Sequence, residues 1–244
     1  MRRDGRLIVA VALAMLVLPG VIADLVTPAQ PSIQVAPVGW WTVLTFAALL
    51  IGLAGQLAIV RLALGPQLSV GDAIRHGVRR LPTYFGATVM WTLPFVLVGG
   101  MLLAVSPNPE QPSAGFAFAF LIVLALFTYV AVRLLFSVTV ASAEPVSSLM
   151  ILRRSWALSR GRFFRLVAFL FLFLIVFVIL VVAVSAVIGT AVKVTLGEVE
   201  PFTVAALLVS LAGQLVGALV TATLMVMLAR LYAQTGEQGA PEQP

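Results

Sequence analysis

The residues able to do acid–base or metal chemistry are few and scattered. His76 is the only histidine, four residues after Asp72 on the polar side of an amphipathic stretch. An acid–base pair needs a substrate-facing position and a third group to orient it. Nothing in the local sequence supplies either, so the pair reads as a solvent-facing contact between helix neighbours. One histidine cannot fill a histidine-rich metal site. The absence of cysteine removes disulfides, thiolate ligands and cysteine nucleophiles together. No carboxylate falls in the middle of an apolar run, which leaves an internal proton relay nothing to work with. Phosphate-binding glycine loops, nucleophile elbows and paired-aspartate patterns do not occur. The residues thus nominate no catalytic, cofactor-binding or metal site, and the expectation is a protein that is not an enzyme and needs no cofactor.

Polar side chains do occur inside the apolar runs: Gln56, Gln214, Thr45, Thr92, Thr128, Ser185, Ser210, Thr221 and Thr223. An amide in hydrocarbon must find a partner, and measured interhelical bonds of this kind average ~0.6 kcal/mol. Gln56 follows Ala48, Gly52 and Gly55, and Gln214 lies between Gly213 and Gly217. Small residues at such spacings let helices approach closely, so both glutamines are expected to serve packing. A polar lining for a substrate path is the sharper alternative. Pro94 and the pair Pro19-Gly20 predict kinks.

Arginine is the chemistry present in quantity. The chain has fifteen basic residues, of which Lys193 is the only lysine. Six apolar runs, 7–26, 40–64, 83–105, 116–141, 163–190 and 202–231, are each long enough to cross a ~30 Å hydrocarbon core as a helix. Numbering the gaps alternately inside and outside places every arginine inside. The outside set is Lys193 with Asp24, Glu110, Glu198 and Glu200. Basic residues near span ends stay cytoplasmic, so both termini are expected in the cytoplasm. Charged residues make up 10% and hydrophobic residues 61%, too little polar surface for a soluble domain of this size. Met1–Ala23 has the outline of a signal peptide, but apolar character continues through Val26, and it reads as an uncleaved first span. The basic balance serves membrane orientation and implies no nucleic acid. The partners it implies are membrane lipids, with Arg75, Arg79, Arg80, Arg153, Arg154, Arg160 and Arg162 as contacts for anionic headgroups. Arginine in place of lysine, with abundant Ala, Val, Leu and Gly, points to a GC-rich bacterial genome and hence a bacterial inner membrane.

The elements that must position these groups form a threefold pattern. Even-numbered spans end in Val60-Arg61-Leu62, Val132-Arg133-Leu134 and Ala229-Arg230-Leu231. Odd-numbered spans follow basic clusters: Arg2 to Arg6, Arg75 to Arg80, and Arg160 to Arg165. The string from Leu49 to Leu57 also matches that from Leu207 to Leu215 at seven of nine positions. Ser69–Leu81 has Val70, Ala73, Ile74, Gly77, Val78 and Leu81 on one face, with Ser69 and Asp72 forming a capping box. It predicts a separate amphipathic helix in the membrane interface, with packing on the bundle as the alternative. A second such helix is expected to begin at Glu144-Pro145 and to carry Leu149, Leu152 and Trp156 on one face. The first repeat lacks its leading helix, which predicts coding sequence upstream of Met1. Outer loops Thr27–Gly39 and Ser106–Gly115 are short and proline-rich, and the polar tail 234–244 is expected to be disordered and cytoplasmic.

The run Arg154-Ser155-Trp156-Ala157-Leu158-Ser159-Arg160-Gly161-Arg162-Phe163, after Glu144-Pro145 and before a very apolar span, resembles a signature of the glycerophosphoryl diester phosphodiesterase membrane-domain family and the related YciC-like bacterial inner-membrane proteins. Asp4-Gly5-Arg6-Leu7-Ile8 before the first span adds to the likeness. The resemblance implies a six-helix membrane module and no activity, because in the family name the phosphodiesterase chemistry belongs to a separate soluble domain. The chain thus reads as an all-α polytopic bundle of six transmembrane helices in three repeated units with cytoplasmic interfacial helices. Its expected role is non-enzymatic, in envelope or lipid-related organisation. A transporter or permease component is the alternative, from the repeats and a faint permease-loop echo around Asp72-Ala73 and Gly77.

Overall fold

A backbone in hydrocarbon has to satisfy its own N–H and C=O groups, and unbroken runs of Leu, Val, Ala and Phe do so as helices. The computed structural model of the protein describes residues 2–27, 39–65, 69–105, 113–196 and 203–237. Among these residues there are helices and no strands. The greater part of both proline-rich outer loops lies outside them, as do 238–244 of the tail.

The first span comprises α1 (Arg2–Ala12), a π-helical turn over Leu13–Val17 and α2 (Leu18–Val26). Pro19 has no N–H for the ladder, and the chain absorbs this just upstream, where the Leu18 N–H reaches back five residues to the Leu13 carbonyl. The kink predicted at Pro19-Gly20 therefore takes the form of a widened turn. There follow α3 (Trp40–Leu64), α4 (Val70–Val105), α5 (Ala114–Arg133), α6 (Ser137–Ala143), α7 (Ser148–Leu158), α8 (Phe163–Leu196) and α9 (Val204–Glu237). Ser113 caps α5 by accepting from the Phe116 N–H at 3.2 Å. Six helical stretches are long and apolar enough to cross a membrane: Gly5–Val26, Trp40–Leu64, Val70–Ala104, Ala114–Ala143, Phe163–Thr195 and Val204–Gln234.

Several elements differ from the sequence pattern. Ser69–Leu81 is no separate helix: it forms the first turns of the 36-residue α4, which runs on through Pro82 and Pro94. Ser69 caps the helix start, its hydroxyl accepting from the Asp72 N–H at 3.1 Å, while the Asp72 carboxylate takes the Ser69 hydroxyl at 2.6 Å in place of the backbone N–H that a full capping box would use. At ~1.5 Å per residue, α4 is far longer than a ~30 Å core, so part of it lies outside hydrocarbon. The fourth span is broken by a turn between Arg133 and Ser137. Glu144-Pro145 does not start α7, which begins after Ser147. The proline instead follows the end of α6, where its missing N–H costs nothing. α9 continues to Glu237, past Gln234.

The helices group into two compact units, residues 1–81 with 170–244 and residues 82–169. In the first, α3 packs on α1, α2 and α9. Its half from Ala54 to Leu62 is almost wholly buried, with Leu57, Ala58, Ile59 and Val60 fully so. Small residues make this approach: a Cβ on Gly55 would sit 2.9 Å from Met15 Cβ, and one on Gly77 would strike the Ala54 carbonyl. Ala73 and Gly77 are buried there, so the apolar face of Val70–Leu81 is partly used on α3. In the second unit, α6 packs on α7, and Val132, Val138, Val140, Ala141 and Ile151 form the core. The Ser148 hydroxyl donates to the Thr83 carbonyl at 2.8 Å. The long exposed faces are apolar, as on α8 with Phe171, Leu172 and Ile179, which is the surface a bilayer covers.

Candidate functional site: an arginine among three aromatic rings

The break after α5 creates the most elaborated polar site among the described residues. In an unbroken helix the Arg133 carbonyl would accept from the N–H of Ser137. Here the Ser137 N–H bonds the Leu134 carbonyl at 2.9 Å instead, which leaves the part-buried Arg133 carbonyl without its helix partner. Ser155 on α7 is fully buried, and its hydroxyl donates to that carbonyl at 3.2 Å. A buried carbonyl left unpaired is costly, and the serine removes the cost.

The Arg133 side chain is held as closely as its backbone. Its guanidinium carbon lies 5.4 Å from the Tyr129 ring centre, 5.3 Å from that of Trp156 and 5.3 Å from that of Phe163. The rings pack on one another, with Tyr129 and Phe163 centred 5.1 Å apart and Tyr129 and Trp156 5.9 Å apart. Each face attracts the cation, typically by ~0.5–1 kcal/mol at exposed sites and more where water is excluded. Nε donates to the Tyr129 hydroxyl at 3.3 Å and Nη1 to the Ser159 carbonyl at 3.3 Å. Ser159 is itself buried, and the chain turns out of α7 through Gly161, whose φ of 76° favours a residue without a Cβ.

Ser155, Trp156, Ser159, Gly161 and Phe163 all belong to the Arg154–Phe163 run. Four of its residues, Ser155, Trp156, Ser159 and Phe163, thus meet Arg133. The face predicted for α7, Leu149, Leu152 and Trp156, is not the packed one: Ile151 and Ser155 are buried, while Leu149 and Trp156 are exposed. Trp156 turns to the arginine instead.

The arginines nominated for lipid contact lie at the surface. Arg75, Arg79, Arg153, Arg154, Arg160 and Arg162 are exposed, and Arg80 is half-buried. Arg154 is shared with a carboxylate, its Nε donating to Glu144 Oε2 at 3.0 Å. His76, expected to face solvent, is half-buried. Arg61 and Arg230, which like Arg133 are followed by leucine, have no comparable ring cage among the described residues.

The glutamines diverge as well. Gln214 donates to Asp24 Oδ2 at 2.9 Å, and the Ser210 hydroxyl donates to the same oxygen at 2.8 Å. Gln214 also crowds Gly20, where a Cβ would strike its amide. The close approach thus falls on Gly20, and positions 213 and 217 face open space. Gln56 is half-buried on α3 beside Gly55. A cavity of about 430 Å³ opens beside Gln214, lined mainly by Leu16, Phe173, Phe177, Gly217 and Thr221. In the sequence Asp24 reads only as a charge at the outer end of the first span. Its link to α9 depends on which helices meet.

The sequence model for the membrane domain of glycerophosphoryl diester phosphodiesterase matches residues 112–243, more than half of the chain. The chain belongs to this family. No curated protein and no solved structure matches it. The region matched to this membrane-domain family contains Arg133 and every residue of its cage. Family and apolar helices together make the chain a multi-pass integral membrane protein.

Proposed function

We propose that the chain is a non-enzymatic protein of a bacterial inner membrane that organises envelope lipids through its arginines, with both termini in the cytoplasm. In this reading the three Arg-Leu span ends mark three repeated units. Val70–Leu81 and α7 then lie on the cytoplasmic side, with their basic faces among anionic headgroups. The observation that carries it is the exposed arginine surface where α7 turns into α8: Arg153, Arg154, Arg160, Arg162 and Arg165 line a stretch of thirteen residues leading into a long apolar helix. Near an anionic leaflet each such charge contributes ~1 kcal/mol.

The test is in two steps. Alkaline phosphatase fused after Asn108 or Glu198 should be active, and after Arg80 or Arg160 inactive; activity at Arg80 removes the orientation. The purified chain in nanodiscs should then gather phosphatidylglycerol over phosphatidylcholine, and Arg75, Arg79 and Arg80 changed together to Gln should weaken that enrichment. No enrichment in the wild type removes the lipid role. A permease component is the second reading, favoured by the cavity beside Gln214. Co-purification of an ATPase would select it.

A further inference from the structure

We propose that Arg133 is a discrete binding site for the phosphate of an anionic glycerophospholipid headgroup, seated where α5 ends and α7 turns into α8. This rests on the lipid-organising role above and replaces a diffuse basic surface with one addressed position.

Arg133 is pre-organised. Three rings and two hydrogen bonds fix its guanidinium, and Ser155 fixes the backbone beneath it. A fork already held in place loses little freedom on binding an anion. It is also unspent. Guanidinium carries five N–H donors; two are used, at Nε and Nη1, and three remain without an acceptor among the described residues. Ring faces attract the charge but accept no in-plane hydrogen bond of ordinary strength, so the remaining donors suit a phosphate.

No carboxylate among the described residues neutralises it, Glu144 being paired with Arg154. A partly desolvated cation without a counter-ion favours an anion supplied from outside. Depth selects the source. α5 from Ala114 to Arg133 is 20 residues long, about 30 Å at ~1.5 Å per residue, the thickness of the hydrocarbon core. Arg133 therefore falls at the polar boundary, where Tyr and Trp rings gather in membrane proteins and where lipid phosphates lie. Arg160 and Arg162, exposed and adjoining Ser159 and Phe163 of the cage, add positive charge that favours an anionic headgroup over a zwitterionic one.

The experiment uses the full chain in detergent micelles with added phosphatidylglycerol, phosphatidylcholine or sodium phosphate. Native mass spectrometry counts retained lipid, and thermal unfolding reports stabilisation. Wild type should retain phosphatidylglycerol about tenfold more tightly than phosphatidylcholine, a difference of order one good charge-assisted contact. Arg133→Gln should lose most of this preference while keeping helical content. Arg133→Lys, which keeps charge and loses the fork, should retain only part of it and serves if the glutamine variant does not fold. Unchanged preference in the folded variant overturns the site. Stabilisation by sodium phosphate equal to that by phosphatidylglycerol overturns the lipid assignment in favour of a free anion. If Arg133→Gln behaves as wild type while the Arg75, Arg79, Arg80 triple variant loses enrichment, the discrete site fails and the broader lipid role stands.

Discussion

Two stretches that read alike in the sequence, Val70–Leu81 and α7, are held by opposite means. The first is docked by what it lacks: Gly77 brings its backbone onto Ala54 and Ala58 of α3, with no side chain between. The second is docked by hydroxyls, Ser148 donating to the Thr83 carbonyl and Ser155 to the Arg133 carbonyl. Glycine contact gives close packing and leaves Arg75 and Arg79 exposed. Serine contact ties the stretch to one arginine and makes it part of a polar site. Similar patterns of charge and hydropathy thus leave open what each stretch builds with its neighbours.

The largest effect is expected at Gly77. Gly77→Val would place a branched side chain against the Ala54 carbonyl and should cost about 1–3 kcal/mol. Thermal unfolding in detergent reads it, and a variant as stable as wild type would show that α3 and α4 do not touch there. Ser155→Ala should cost about 1 kcal/mol by leaving the Arg133 carbonyl unpaired. The same variant should loosen the cage, seen as a shift in Trp156 fluorescence relative to a background lacking the other tryptophans. An unmoved spectrum and unchanged stability would reduce the second stretch to ordinary packing.

A finer version of the contrast lies in the two glutamines. Gln214→Leu removes a bond to Asp24 and should cost ~0.6 kcal/mol, the average for such bonds in membranes. Gln56→Leu removes no hydrogen bond to a described residue and should be neutral or slightly stabilising. Equal effects would mean that the shared Gly-Gln string carries a shared role after all. The smallest effect is expected at Arg154, whose pair with Glu144 is 58% and 22% exposed on its two sides. Arg154→Ala should change stability by no more than ~0.5 kcal/mol in either direction. A loss well above that would place the pair in the support of α7.

Six apolar runs and the cap at Ser69 were legible from residue types alone, because length, hydropathy and capping are local properties of a chain. Pro19 announced a distortion for the same reason. The Arg133 site shows where locality ends. Tyr129 and Arg133 are helix neighbours and could be paired on paper, and the Arg154–Phe163 run carries the family likeness. That one encloses the other depends on a turn after Arg133 that no proline or glycine marks, since 134–136 are Leu, Leu and Phe. The Asp24 link to Ser210 and Gln214 is likewise invisible in sequence, its partners standing 186 and 190 residues apart.

By itself, then, the sequence determined that this chain is a bundle of membrane-crossing helices, since a backbone in hydrocarbon has no alternative way to satisfy its polar groups once its side chains are this apolar. Which small residues bring helices together was decided by tertiary structure alone: Gly20, Gly55 and Gly77 are at contacts and Gly213 and Gly217 are not. So was the choice of Arg133, rather than Arg61 or Arg230, as the caged arginine. In a bilayer every outward apolar side chain is equally well solvated by lipid, so hydrophobicity no longer distinguishes the face that packs from the face that does not. Shape and a few hydrogen bonds make that choice, and both exist only when the helices meet.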